Sequence, residues 1–183
     1  VLNGTYLDGI SSNSFDASLM MGPLYHLQKE DDREAAVKKL HRVTKYNGTV
    51  FAAFQSRMRM LLTSLIYPRF WKPNDNMVSI NKFIEDGTFK HNDKGRFTGA
   101  YYYNIEDIKP FMENNGFETI DLIGSSNIGA LLNNEQTQYW IEQREKDKLV
   151  NLLIRISNDP SVLGVSSHLL YIREKEIISD LLN

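Results

Sequence analysis

"FDASLMMGPLYHLQKEDDREAAVKKLHRVTKYNGTVFAAF", residues 15–54, decides the fold. Residues 15–21 form a short, mostly apolar run between Ser/Asn turn residues and Gly22-Pro23, which predicts a buried parallel strand. Asp31 and Glu34 stand in capping-box spacing. Ala36, Leu40 and Val43 recur at helical intervals, so a helix is expected to run until Asn47-Gly48. Residues 49–54 combine β-branched and aromatic side chains without polar alternation and read as a second buried strand. A strand, a helix and a strand with short connections make the crossover unit of a parallel α/β sheet, which is nearly always right-handed.

The rest of the chain extends that unit. Residues 57–67 predict a helix that Pro68 and Pro73 interrupt, and Ile80, Phe83 and Ile84 predict another that ends at Gly87. Residues 56–103 read as an insertion over the sheet, whose aromatics and methionines either pack or wall a substrate as a lid. Asn104 is placed to cap a helix through Ile105, Ile108 and Met112, with Pro110 inside it and Gly116 at its end. Residues 117–123 alternate as a strand. Leu149, Leu152, Leu153 and Ile156 define one face of a long charged helix, and residues 168–172 supply a last strand. The terminal stretch 174–183 is short and weakly amphipathic, a docked tail or a partner surface. Together, residues 1–183 read as a single α/β domain.

Composition narrows the function classes. Hydrophobic residues make up 42% of the 183 positions, and 21 basic against 23 acidic side chains leave a net charge of −2. No basic stripe with interleaved aromatics is available for nucleic acid, so no nucleic-acid partner is expected. Cysteine is absent, which removes disulfides, thiolate nucleophiles and cysteine-based zinc sites, and makes the cytoplasm the expected location. No apolar run approaches the roughly 20 residues that span a bilayer, so no membrane partner is expected. The chain opens on Val1 rather than Met, which suggests a fragment.

In an open α/β sheet, ligands bind beyond the carboxyl ends of the strands, and Gly22, Tyr25 and His26 fall in such a loop. Gly22 lets a ligand approach the backbone, and His26 can exchange a proton near neutral pH. The alternative is that Tyr25 and His26 cap the next helix or bond to the core. Tyr101, Tyr102 and Tyr103, behind Arg96-Phe97-Thr98-Gly99, either line a substrate pocket with phenols or form a strand packed on the insertion. Arg57, just past the second strand, either meets an anionic substrate or is solvated. Four histidines without paired carboxylate spacing make no metal constellation, so no metal is expected, and HExxH, GxSxG and the phosphate loop are missing.

The order of elements and several strings together resemble the class I S-adenosylmethionine-dependent methyltransferases of the small-molecule type. The strings are Asn13-Ser14-Phe15-Asp16, Gly22-Pro23-Leu24-Tyr25-His26-Leu27, Asp32-Arg33, His41-Arg42-Val43, Gly48-Thr49-Val50-Phe51 and Asn115-Gly116-Phe117-Glu118. They cover most of the chain, weakly over residues 56–95 and 127–160. The resemblance implies a Rossmann-like sheet, partial from about the third strand onward, with a helical insertion after the fifth. It implies S-adenosylmethionine as cofactor and a small-molecule substrate. Met21 and Gly22 then lie against the methionine moiety, Thr5 and Tyr6 against the adenine, and His26 looks towards the transferable methyl, with Tyr25, Arg57, Tyr101, Tyr102 and Tyr103 on the substrate side.

Three departures qualify it. Thr5 stands where the family commonly has Asp, and Lys45-Tyr46-Asn47-Gly48 stands where it tends to have Lys-Pro-Gly-Gly. The glycine-rich GxGxG loop and the acidic ribose ligand that open the family's domain do not occur here. The expectation is the carboxyl-terminal part of a methyltransferase, inactive and poorly binding by itself, with an exposed sheet edge that invites self-association. Two other readings stand beside it: a non-catalytic methyltransferase-like interaction module, and a nicotinamide oxidoreductase on the same α/β plan.

Overall fold

A computed structural model describes residues 7–91 and 99–174. Thr5 and Tyr6, Arg96 to Thr98, and the tail beyond residue 174 lie outside the described residues. Strands β1 (Phe15–Met20), β2 (Thr44–Gln55), β5 (Glu118–Gly124) and β6 (His168–Glu174) build a four-stranded sheet in the order β1-β2-β6-β5. β1 and β2 run parallel, and helix α2 (Glu30–Val43) crosses between them, as the opening stretch requires. β6 runs antiparallel to both β2 and β5, so the sheet is mixed. A two-stranded ribbon of β3 (Thr88–Lys90) and β4 (Gly99–Tyr101) stands apart from it.

One face of the sheet carries the core. Ala36, Val37 and Leu40 of α2, with Ile108 and Met112 of α5 (Ile105–Glu113), pack on Val50, Ala52 and Phe54 of β2. Leu169 and Tyr171 of β6 and Leu122 of β5 complete that layer. Arg173 is buried too, its guanidinium 4.7 Å from the Phe117 ring centroid. Burial pushes the Tyr171 phenol pKa up, against a lowering hydrogen bond from Thr119.

The expectation that β1 and β2 are buried strands is corrected in one respect. β2 alternates between buried and half-buried positions from Gly48 to Gln55, so one of its faces is covered more completely than the other. β1 is an edge strand with Ser18 and Met20 buried, while Leu19 is 68% exposed and Phe15 43%. Local apolarity reports that a strand has a partner surface but not how many faces it covers.

The helix boundary also moves. α2 ends at Val43 and β2 starts at Thr44, so Asn47-Gly48 interrupts a strand and does not cap a helix. Thr44 pairs with Phe15 and Thr49 with Ala17, which loops residues 45–48 out of the ladder as an enlarged bulge. Asn47 takes φ 59°, and Lys45 returns to Asp16 through an ion pair of 2.8 Å that holds that carboxyl below its usual pKa. A Cβ on Gly48 would lie 2.8 Å from Lys45 O and from Thr44 Cγ2 and 3.1 Å from Asp16 O. Gly48→Ala is therefore expected to cost about 1–3 kcal/mol, read as a lower urea midpoint with an unchanged slope. An unaltered midpoint would mean that the bulge yields freely.

Three further differences concern helices. The amino terminus of α2 is capped by Lys29 without a side-chain bond, and Asp31 sits inside the first turn with Glu30 and Asp32, where carboxylates favour the helix dipole. The long charged helix is two, α6 (Asn134–Glu142) and α7 (Lys146–Arg155), broken at Arg144 with φ 57°. Neither holds a buried residue. A short helix, α8 (Pro160–Val165), opens with Asp159 accepting from Ser161 N and supplies Leu163 to the core.

Between β2 and β4 the chain forms α3 (Arg57–Ile66) and α4 (Met77–Asp86), the latter closed by Gly87 in the left-handed conformation. Their cluster of Met60, Phe83 and Phe89 is separate from the main core. Among the described residues, no helix is long and apolar enough to cross a membrane, and no group of three or more His, Asp or Glu side chains could hold a metal.

Candidate functional site

The mixed sheet brings several chain segments to one edge. β1 and β2 deliver their carboxyl ends there, and so does β5. β6 is antiparallel, so its first residue arrives at that same edge: His168 pairs with Gln55, and Leu169 with Gly124. This is the position where open α/β sheets bind ligands.

The turn after β1 is compact. Pro23 begins the short helix α1 (Pro23–His26), and the backbone N–H groups of Tyr25 and His26 each donate to Gly22 O at 3.2 Å. The Tyr25 hydroxyl donates to Met21 O at 3.3 Å, which fixes the ring over the turn. Ring centroids lie 4.7 Å apart for Tyr25 and His26 and 6.1 Å for Tyr25 and His168. Gly22 is buried, and a Cβ there would meet only ordinary contacts at 3.7 and 3.8 Å. The protein's own packing does not demand glycine at that position.

His168 is held from both sides. Its Nε2 lies 3.3 Å from Gln55 Nε2 and its Nδ1 3.3 Å from Ser167 Oγ. Ser167 Oγ is 2.9 Å from Ser126 Oγ, and Ser125 Oγ donates to His168 O at 3.0 Å. Gln55 Oε1 is buried with no hydrogen-bond partner among the described residues. A cavity of about 160 Å³ opens beside it, walled by Gln55, Ser56, Arg59, Trp71 and His168.

The expected site residues divide. Met21, Gly22, Tyr25 and His26 are brought together at the edge, and Met21 and His26 are exposed there. Arg57 is not solvated: it is buried, donating from Nε to Tyr102 O at 3.1 Å and from Nη1 to Ile84 O at 3.0 Å. Of residues 101–103, Tyr101 ends β4, Tyr103 makes an isolated bridge to Ser56, and Tyr102 lines the small cavity. Tyr103 is a core residue, edge-on to Phe54 at 4.8 Å, and burial drives its phenol pKa far up. Tyr101 lies under the buried Arg33 guanidinium, 3.6 Å from its ring centroid, and Tyr102 packs on Phe83.

Sequence reasoning missed His168, Gln55, Ser126 and Ser167. His168 and Gln55 end strands that were read only for their apolar residues. The available signal was the antiparallel course of β6, which places a strand's first residue among the others' last.

No family model and no curated protein matches the sequence. Solved structures do match the fold. An S-adenosylmethionine-dependent methyltransferase from Methanosarcina mazei superposes with a TM-score of 0.57 at 14% identity, over 97% of this chain and 66% of its own. A Thermotoga maritima S-adenosylmethionine-dependent methyltransferase, described as a possible histamine N-methyltransferase, gives 0.51 at 16% identity over 96% of this chain and 62% of its own. A putative one from Listeria monocytogenes gives 0.53 at 12% identity, over 92% and 64%. The chain thus spans less than two thirds of the length of each. Its α/β fold, a mixed sheet with helices, is that of the Rossmann-like S-adenosylmethionine-dependent methyltransferases.

Proposed function

We propose that the chain forms one wall of a site that transfers a methyl group from S-adenosylmethionine to a small molecule. The observation that carries this reading is the meeting, at one sheet edge, of the Met21-Gly22 turn with the rings of Tyr25, His26 and His168. None of the residues that form that edge cluster is an acid, a lysine or an arginine. Aromatic faces attract a sulfonium without a competing formal charge, which is the donor chemistry the cofactor fits. The bound cofactor supplies a methyl already activated by the sulfonium charge.

The chain's own residues then position and deprotonate. Met21 and Gly22 offer backbone to the methionine moiety, with Thr5 and Tyr6 near the adenine by resemblance. Gln55, which lines the small cavity beside His168, offers its amide to an ammonium or hydroxyl. His26 takes the proton that the nucleophile loses as its bond to the methyl forms. Holding nucleophile and methyl in line contributes most, because the leaving thioether needs no protonation. Tyr102 lines the small cavity itself, and Arg57 acts at a distance by holding that wall through Tyr102 O.

Titration calorimetry of the full natural protein with S-adenosylmethionine and with NADH tests the reading. Saturable heat with the first and none with the second is expected, and residues 1–183 alone should bind more weakly. NADH binding instead would favour an oxidoreductase, and binding of neither a non-catalytic module.

A further inference from the structure

Beyond the sheet edge lies a second, larger cavity of about 460 Å³, between the end of β5 and the α6–α7 hairpin. We propose that it binds an uncharged, largely apolar small molecule with one hydroxyl or amine end; that this molecule is the methyl acceptor rests on the reading above. The volume falls within the roughly 300–1,000 Å³ of small-ligand pockets. Leu132, Trp140, Ile141, Leu149, Leu153 and Ile154 make its wall, and Lys146 is its one charged lining residue.

The hairpin exists in an unusual state for such apolar helices. No residue of α6 or α7 is buried, and Trp140 and Ile154, both lining the cavity, remain 40% and 65% exposed. Amphipathic helices gain most of their stability from a covered apolar face. Here the uncovered face borders a cavity, so a ligand that fills it supplies the missing contact area.

The polar end is fixed by the sheet side. Ser125, Ser126 and Ser157 line the cavity there, and Gly124 N donates to Ser157 O at 2.7 Å, which ties the end of α7 to the end of β5. Ser126 also reaches Ser167 and, through it, His168. One hydroxyl chain therefore joins the apolar cavity to the candidate site. A molecule with its apolar body among the helices presents its polar end towards the imidazoles.

The test uses N-phenyl-1-naphthylamine, a neutral apolar amine, with the 183-residue chain and no cofactor. Trp71→Phe leaves Trp140 as the one tryptophan, so energy transfer from Trp140 to the probe locates binding. Saturable one-to-one binding is expected. Val150→Glu, at a partly exposed lining position, should weaken it at least about ten-fold, because the carboxylate would be desolvated by the probe. Val78→Glu, at an 81% exposed apolar residue of α4, should leave it unchanged. Ile154→Glu serves if Val150→Glu fails to fold by circular dichroism.

No saturable binding, or binding that survives both cavity variants, would overturn the proposal, as would equal weakening by Val78→Glu. Tighter binding of the sulfonated analogue 1-anilinonaphthalene-8-sulfonate, lost in Lys146→Met, would replace the neutral ligand by an anion. Because no cofactor enters the experiment, its failure is separable from failure of the methyl-transfer reading, which calorimetry tests alone.

Discussion

On the proposed methyl-transfer reading, His26→Ala is expected to lower turnover about 100-fold, the low end of what a positioned base contributes. Affinity for S-adenosylmethionine should change by less than about three-fold, since a base that acts only as the proton leaves contributes little to ground-state binding. His26 stands on the turn that follows β1, exposed and against the Tyr25 ring. His168 is the rival base at the same edge, its ring nitrogens facing Gln55 and Ser167. As His168 orients Gln55, His168→Ala should cost about ten-fold or below. Turnover unchanged in His26→Ala would reduce that residue to a structural one. A larger loss in His168→Ala would transfer the base to β6.

The contrast between the two histidines shows what the sequence made legible. Residues 15–54 disclosed the crossover unit because strand, helix and strand leave local signatures: an apolar run, a helical repeat, a β-branched run. The turn chemistry at Gly22-Pro23 then placed His26 at the ligand edge by topology alone. His168 left no such trace. Its place depends on β6 running antiparallel between β2 and β5, a fact about pairing partners far away in the chain, Gln55 lying more than a hundred positions from His168.

Exposure was illegible for a related reason. Leu19 and Phe15 look like core residues in any window, yet β1 is an edge strand of the described sheet and leaves both exposed. The buried arginines are the opposite case. Arg33, Arg57 and Arg173 are charged residues that composition assigns to the surface, and tertiary carbonyls and aromatic faces keep them inside.

Arg57 carries the largest stability effect expected for a side chain of this kind. Its guanidinium joins three segments, donating to Tyr102 O behind β4 and to Ile84 O near the end of α4, while Arg57 itself opens α3 behind the Ser56 cap. Bonds from a charged donor contribute about 1.5–3 kcal/mol each, so Arg57→Ala should cost about 3 kcal/mol or more in urea unfolding. Arg57→Lys should rescue little, because one ammonium cannot reproduce the planar fork that meets both carbonyls. Gly87 supplies the discriminating measurement. It has φ 69°, and a Cβ there would lie 2.5 Å from Tyr102 O and 2.8 Å from Arg57 Cζ. Gly87→Ala alone should cost about 2–4 kcal/mol, from left-handed strain plus overpacking. In the Arg57→Ala background the guanidinium clash is gone, so the two losses should sum to less than their separate values by about 1 kcal/mol. Strict additivity would mean that Arg57 does not hold the α4–β4 junction. If the coupling is found, the wall of the small cavity formed by Arg59 and Tyr102 depends on the same guanidinium, and loosening it should blunt substrate positioning before it affects the sheet.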